Sequence, residues 1–164
     1  MAEVFEGRWS GVVEDDFVVF LIGMRVNKPW KINKWLPVAR SMGPMQRELM
    51  QNPQLGCMHI ENWFGRTTMS VQYWTDTESL NRYATGEIHL PAWRAFNKAI
   101  RNSGDVGIWH ETFKVHAGEY ETIYGNMPRF GLAGAGKHMP TSEVGQSARR
   151  RLGDDQAEPA VNPY

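Results

Sequence analysis

The chain contains a single cysteine, Cys57, among its 164 residues. A lone cysteine excludes an intrachain disulfide and is typical of proteins kept in a reducing compartment, so we expect a cytoplasmic location. As a small apolar side chain, Cys57 fits a buried position and needs no chemical role there.

The sequence also lacks an excess of either charge, because 18 Lys and Arg residues balance 18 Asp and Glu residues. Proteins that bind DNA or RNA normally carry a clear basic excess, so we expect no nucleic-acid partner. No apolar run approaches the roughly 20 residues that cross a bilayer. The start of the chain does not resemble a secretory signal, and we expect no membrane partner.

Aromatic residues and methionines, by contrast, are abundant: seven Trp, seven Phe, five Tyr and nine Met. Large rings and flexible thioethers suit an apolar ligand cavity or a subunit interface. A Trp-rich core is the alternative, and composition alone does not separate the two. A hydrophobic fraction of 41% in a chain of this length favours one globular domain.

Strand and helix patterns alternate along the chain. Apolar periodicity predicts strands at 17–27, 55–64, 66–74, 106–116 and 119–124, and helices at 30–50, 77–86 and 90–100. Pro37 and the Gly43-Pro44 pair favour two helical pieces within 30–50, and Asp76 is a candidate N-cap. The order predicts an α+β fold of the ferredoxin-like β-α-β-β-α-β type, an antiparallel sheet with helices on one face.

The other sheet face stays partly apolar in a chain this short, and pairing with a second copy is the simplest way to cover it. We therefore expect a homodimer. From Lys137 the composition shifts towards Pro, Ala, Ser and charged residues, which predicts a domain over residues 1–136 and a flexible tail over 137–164.

His89 stands at the start of the second helical region, with Trp93 one turn later and Phe96 beyond it. An imidazole among large apolar side chains suits general acid–base catalysis or axial ligation of a haem iron. The alternative is a hydrogen-bonded structural histidine near a helix start.

Two further groups are candidates for a site. Trp109 and Glu111 face one side of a strand and His110 faces the other. One interpretation is that one of these two sets lines a pocket. The alternative is a packed Trp109 with His110 and Glu111 at the rim. Arg25 and Asn27 share a face at the end of the first strand, where they position an anionic group or mark the point at which the strand meets water. The sequence lacks a second cysteine and any His-Glu-x-x-His pattern, so we expect no metal site.

Two stretches carry a resemblance to a known family. The segment from Tyr73-Trp74-Thr75-Asp76 through His89-Leu90-Pro91-Ala92-Trp93 to Asn97 is similar to the dimeric α/β-barrel monooxygenase superfamily. The run Gly104-Asp105-Val106-Gly107-Ile108-Trp109-His110-Glu111, followed by Tyr124-Gly125-Asn126-Met127-Pro128, resembles its fumagillin-pathway-type group of small monooxygenases. The resemblance covers roughly residues 15–135.

The resemblance implies a dimeric α/β barrel with a pocket between sheet and helices, acting in secondary metabolism. The function it favours is a monooxygenase that acts on a small apolar or aromatic substrate. The cofactor is either none, with direct use of O₂, or haem b. We take His89 and His110 as catalytic, and Arg25, Asn27, Tyr73, Trp93, Phe96 and Trp109 as substrate-binding. The alternatives are a haem b enzyme (a dehydratase, peroxidase or oxygenase) with His89 as the ligand, and a non-catalytic dimeric module that binds a hydrophobic ligand.

Overall fold

The computed structural model describes residues 2–86, 89–100 and 103–154. The chain divides into two compact units, one of Val18–Phe113 and one of Met1–Phe17 with Lys114–Tyr164. The strands are β1 (Phe5–Val12), β2 (Phe17–Val26), β3 (Cys57–Trp63), β4 (Met69–Trp74), β5 (Val106–Val115), β6 (Tyr124–Met127) and β7 (Lys137–Pro140). The helices are α1 (Ile32–Gln51), α2 (Thr77–Ala84), α3 (His89–Ile100), α4 (Leu132–Ala135), α5 (Thr141–Val144) and α6 (Ala148–Arg151).

The unit Val18–Phe113 is built on a four-stranded sheet in the order β3-β4-β2-β5. Strand β4 is antiparallel to both of its neighbours, with Tyr73 opposite Val19 on β2 and opposite His59 on β3. Helix α1 connects β2 to β3, and α2 and α3 connect β4 to β5. This order of elements and of strands is the ferredoxin-like arrangement, which confirms the predicted fold.

Period-two patterning in the strands sets the helix-facing side of this sheet. One buried cluster on that side joins Val18, Leu49, Cys57, Trp74 and Leu80. A second joins Met24, Val26 and Val106, with Trp35, Val38, Ala39 and Phe96 packed against it. The predicted N-cap of α2 is confirmed, because the Asp76 carboxylate accepts a hydrogen bond of 2.6 Å from the backbone nitrogen of Ser79.

Helix α1 is one continuous helix, so the prediction of two pieces is wrong. Pro37 and Pro44 both lie inside it. Each proline removes one backbone donor, and burial of Met45 and Leu49 against the rest of the unit stabilises the helix despite these losses. Tertiary packing outweighs local propensity here.

The second unit contains a three-stranded sheet in the order β6-β1-β7. The predicted strand at 119–124 is wrong, since the strand in this region is Tyr124–Met127. Tyr120 and Thr122 contact this part of the chain through their side chains instead. The Tyr120 hydroxyl donates to the carbonyl oxygen of Val13, and the Thr122 hydroxyl donates to that of Gly11.

Sequence patterning missed β1 altogether, because Gly7 and Gly11 interrupt its apolar alternation. Residues 137–140, at the start of the predicted tail, form β7 and pair with β1. Residues 155–164 of that predicted tail lie outside the described residues. Among the described residues, no helix is long and apolar enough to cross a membrane.

Candidate active site

A cavity of about 360 Å³ lies between the helices and the sheet of the unit Val18–Phe113. Its apolar wall comes from β2, α1 and β5 and includes Phe20, Ile22, Met42, Met45, Leu49 and Ile108. A second cavity of about 220 Å³ shares Ile22, Met42 and Ile108 with it. The two together form an apolar region suited to an organic ligand.

His89 borders the cavity from the first residue of α3. Its Nδ1 atom lies 2.8 Å from the carbonyl oxygen of Ala84. A carbonyl oxygen only accepts, so Nδ1 carries the hydrogen, and in the neutral ring Nε2 holds the lone pair. Nε2 has no hydrogen-bond partner in the described part of the chain and is free to accept a proton or bind a ligand.

Tyr83 lies beside His89, with ring centroids 6.0 Å apart. Its hydroxyl lies 3.0 Å from Oε2 of Glu48 and 3.1 Å from the carbonyl oxygen of Met45. Burial and the neighbouring Glu48 carboxylate raise the pKa of Tyr83 well above its usual range. Tyr83 therefore stays protonated, and its one hydrogen is already directed at acceptors on α1.

Two glutamines border the same cavity, and they differ in whether the amide nitrogen is already hydrogen-bonded. Gln46 uses its nitrogen to donate to Asn62 and Ser70, and its oxygen accepts from Asn62. Gln72 is 5% exposed, and its oxygen accepts a hydrogen bond of 3.0 Å from Nε1 of Trp74. The Gln72 nitrogen has no hydrogen-bond partner among the described residues.

The remaining polar side chains of the cavity lie at its mouth. His110 is exposed, with its ring 5.8 Å from that of Phe20, and the cavity-lining residues Asn81 and Thr112 are exposed as well. Trp93 also borders the mouth and is 54% exposed. Of the residues predicted from the sequence, His89, Trp93 and His110 thus come together here.

The other predicted residues lie elsewhere in the same unit. Tyr73 and Trp109 are on strand faces opposite to Gln72 and His110, as period-two alternation requires, and Phe96 packs on the second buried cluster. Arg25 donates to the Thr67 hydroxyl at 2.7 Å, and Arg25 and Asn27 both lie near Gly107. None of these five residues borders the described cavity.

Cys57 is buried, and burial raises its pKa to about 12. A thiol in this state is a poor nucleophile, which agrees with its expected structural role. Within the described ranges, no group of three or more His, Cys, Asp or Glu residues is placed to hold a metal ion.

Sequence reasoning missed two residues of this site, Gln72 and Tyr83. Period two places Gln72 on the same face as Trp74, two residues later, which was a readable signal for a shared environment. Which end of the amide faces the indole follows only from the structure. For Tyr83, the partner on α1 lies 35 residues away in sequence, and no local pattern indicates it.

The chain is 28% identical to Monooxygenase af470 of Aspergillus fumigatus over 149 residues, which is 77% of this chain and 53% of that protein. The chain thus spans about half the length of this curated relative.

Among solved structures, an aldoxime dehydratase superposes with a TM-score of 0.63 at 17% identity, covering 77% of this chain and 42% of that one. SnoaB, a cofactor-independent oxygenase from Streptomyces nogalater, gives a TM-score of 0.45 at 15% identity, covering 62% and 94%. At these identities the structural likeness concerns the fold alone.

The model of one protein family matches residues 17–132, which include every element of the four-stranded sheet and the whole cavity. The chain therefore belongs to the Monooxygenase af470-like family.

Proposed function

We propose that this chain oxidises a small, mostly apolar substrate with O₂ in the cavity beneath α1 and α3, without a cofactor. The observation that carries the proposal is His89: its Nδ1–H is held by Ala84, and its Nε2 lone pair is left available beside an apolar wall. Membership of a monooxygenase family supports the reaction class.

The chemistry starts at an activated C–H of the substrate, flanked by a carbonyl or a phenolic ring. Nε2 of His89 takes the proton, and the resulting carbanion transfers an electron to O₂. Recombination forms the peroxide anion R₂CHOO⁻, which takes the proton back from His89 and becomes a hydroperoxide. Nε2 then removes the second C–H proton while the O–O bond breaks, so that R₂CH₂ and O₂ give R₂C=O and H₂O in all. His89 returns its proton to the departing hydroxide, and the apolar wall excludes bulk water during the reaction.

His110 and Trp93 take supporting roles in this proposal. Both lie at the mouth of the cavity, where an exposed imidazole can orient a polar end of the substrate and an indole can cover its ring. Replacing His110 by alanine is expected to raise KM more than it lowers kcat, because His110 positions substrate rather than taking the proton.

The test is oxygen uptake by the purified chain with a panel of phenolic and terpenoid compounds. Wild-type protein is expected to consume O₂ with at least one of them, and H89A to lose this activity. H116A is the matched control, since His116 pairs with Asp16 and does not border the cavity. Tight ligand binding with no oxygen uptake across the panel would contradict the proposal and favour a non-catalytic binding module.

Haem b is a second candidate, favoured by the same contact at His89. A histidine that donates from one ring nitrogen to a backbone carbonyl is typical of metal ligation through the other. His89 would hold the iron, and the group would supply oxygen or substrate activation. No Lys or Arg occurs among the described residues of the cavity wall to pair with the haem carboxylates, so we prefer the cofactor-independent reaction.

An absorption spectrum separates the two candidates. Protein as purified, and after addition of hemin and then dithionite, is expected to show no sharp Soret band that depends on His89. A band that shifts on reduction and disappears in H89A would instead establish a haem protein.

We also propose that the chain forms a homodimer. Light scattering is expected to give a mass twice the 18.8 kDa of one chain. A mass of one chain across the micromolar range would contradict it.

A further inference from the structure

Gln72 stands in the middle of the sheet, at a point where its position is tightly fixed. It lies on β4, which pairs with strands on both sides, and its backbone partners are Phe20 on β2 and Ile60 on β3. The side chain is 5% exposed and borders the cavity. A backbone held on two sides leaves only the side-chain rotation to be determined.

Trp74 determines that rotation. Its indole is fully buried and carries one polar atom, Nε1–H, which can only donate. Nε1 lies 3.0 Å from Oε1 of Gln72, so the atom that faces Trp74 must be the amide oxygen. The two side chains share one face of the strand because they are two residues apart. The NH₂ end of Gln72 is thereby directed away from Trp74.

The NH₂ group of Gln72 differs from the other polar groups of this cavity in its hydrogen bonding. Among the described residues it has no hydrogen-bond partner, whereas buried amide donors are normally paired. Among the described residues, two side-chain atoms are inaccessible to solvent and also lack a hydrogen-bond partner. They are Nε1 of Trp109 and Nε2 of His138. The Gln72 nitrogen is not one of them and therefore keeps accessible surface, at a residue that borders the cavity.

The other polar side chains of the cavity do not duplicate this donor. Gln46 is committed to Asn62 and Ser70, and the Tyr83 hydrogen is directed at Glu48 and Met45. In the tautomer set by Ala84, His89 offers a lone pair rather than a hydrogen. Asn81, Thr112 and His110 are exposed at the mouth.

We propose that the Gln72 amide is the buried donor that holds a substrate oxygen, so that the ligands of this cavity are apolar ring compounds bearing an accepting oxygen, a ketone or a phenolic oxygen. This inference rests on the proposed function and deepens it. A donor at the carbonyl or phenolate oxygen would also stabilise the negative charge that develops there when the adjacent C–H loses its proton.

The test uses two ligands of almost equal shape, 2-acetylnaphthalene and 2-ethylnaphthalene, which differ in the presence of the carbonyl oxygen. Dissociation constants of both are measured with wild type, Q72M and Q46M. The quantity compared is the ratio of the two constants, because the different hydration of the free ligands cancels between proteins. Gln46→Met is the matched control, since that glutamine borders the same cavity with its amide already paired.

The preference for the ketone is expected to fall by about fivefold in Q72M, as for loss of one neutral hydrogen bond, and to stay unchanged in Q46M. An unchanged ratio in Q72M, with both ligands still bound, would overturn the inference and leave the cavity as a ligand site. Failure of both ligands to bind wild type would overturn the inference and the proposed function together.

Replacing Gln72 leaves the Trp74 indole without its acceptor, so a second measurement avoids the variant. The infrared carbonyl stretch of ¹³C-labelled 2-acetylnaphthalene bound to wild type is expected at a lower frequency than in hexane, as for a carbonyl that accepts a hydrogen bond. A band at the hexane frequency would refute the assignment of Gln72 as donor.

Discussion

Nδ1 of His89 donates to the carbonyl oxygen of Ala84 across 2.8 Å, from the first residue of α3 to the last residue of α2. This contact fixes both the orientation and the tautomer of the imidazole. It explains how a histidine at a helix start has a structural hydrogen bond and a free nitrogen at once. The structural and the chemical interpretations of His89 from the sequence are therefore compatible.

His89→Asn separates these two roles. The asparagine nitrogen replaces Nδ1 and can still donate to Ala84, whereas nothing replaces Nε2. We expect the free energy of unfolding to stay within about 1 kcal/mol of wild type. Turnover of a substrate should fall by about 100-fold or more, the usual effect of losing a general base. Urea denaturation and steady-state kinetics measure the two quantities. Full turnover by H89N would contradict the role of His89 as the base.

Asp105 makes the unit Val18–Phe113 sensitive to acid. Its buried carboxylate lies 2.7 Å from Nζ of Lys28 and 2.9 Å from Nζ of Lys31, and these two groups lower its pKa to about 2. An unfolded aspartate has a pKa of about 3.9, so on acidification the unfolded state binds the proton first. The stabilisation is complete above about pH 4 and is lost as the pH falls towards 2.

The D105N variant is expected to be less stable than wild type at pH 6, with the difference shrinking between pH 4 and pH 2. Urea midpoints measured across this range test the prediction, and D15N, at an exposed position, is the control for loss of one carboxylate. A difference that stays constant down to pH 2 would show that the two lysines do not hold the carboxylate in its charged form.

His116 and His138 are expected to titrate on opposite sides of the usual histidine value near 6.5. The hydrogen bond that His116 donates to the Asp16 carboxylate raises the pKa of His116, and burial, with a smaller effect of Arg129, lowers the pKa of His138. Imidazole resonances followed by NMR across pH 4–9 measure both. In D16N the midpoint of His116 should fall while that of His138 stays. Coincident midpoints in wild type would refute the assignment.

Cys57 is expected to resist modification by thiol reagents in the folded protein. Burial raises its pKa to about 12, so the thiolate is scarce at pH 8 and the sulfur is inaccessible. Ellman's reagent should react slowly without denaturant and at once in 6 M urea. Rapid modification of the native protein would place the thiol on an accessible surface.

Much of the fold was predictable because it follows from local patterns. Period two in β2 and β4, the cap at Asp76 and the order of elements together specify the ferredoxin-like unit. The continuity of α1 through Pro37 and Pro44 depends instead on burial of distant side chains. Strand β1 depends on partners more than 110 residues away in sequence, which no local pattern can supply.

Some residues of the candidate site could be predicted, namely those whose residue type alone suggests a chemical or binding role. His89, His110 and Trp93 were identified as rare or large side chains at the right periodicity. Tyr73 and Trp109 do not border the described cavity. Alternation tells which residues share a face, but not which face borders a cavity. Gln72 was missed because its availability depends on the Trp74 indole, a relation between side chains rather than between residue types.

The most direct test of the account is oxidation under ¹⁸O₂ by protein whose iron and haem contents have been measured. With a substrate found by oxygen uptake, we expect one ¹⁸O atom in each product molecule and the other in water. Turnover should be independent of residual iron and lost in H89N. Turnover that rises with haem content, or label incorporation by H89N at the wild-type rate, would contradict a cofactor-independent monooxygenase with His89 as its base.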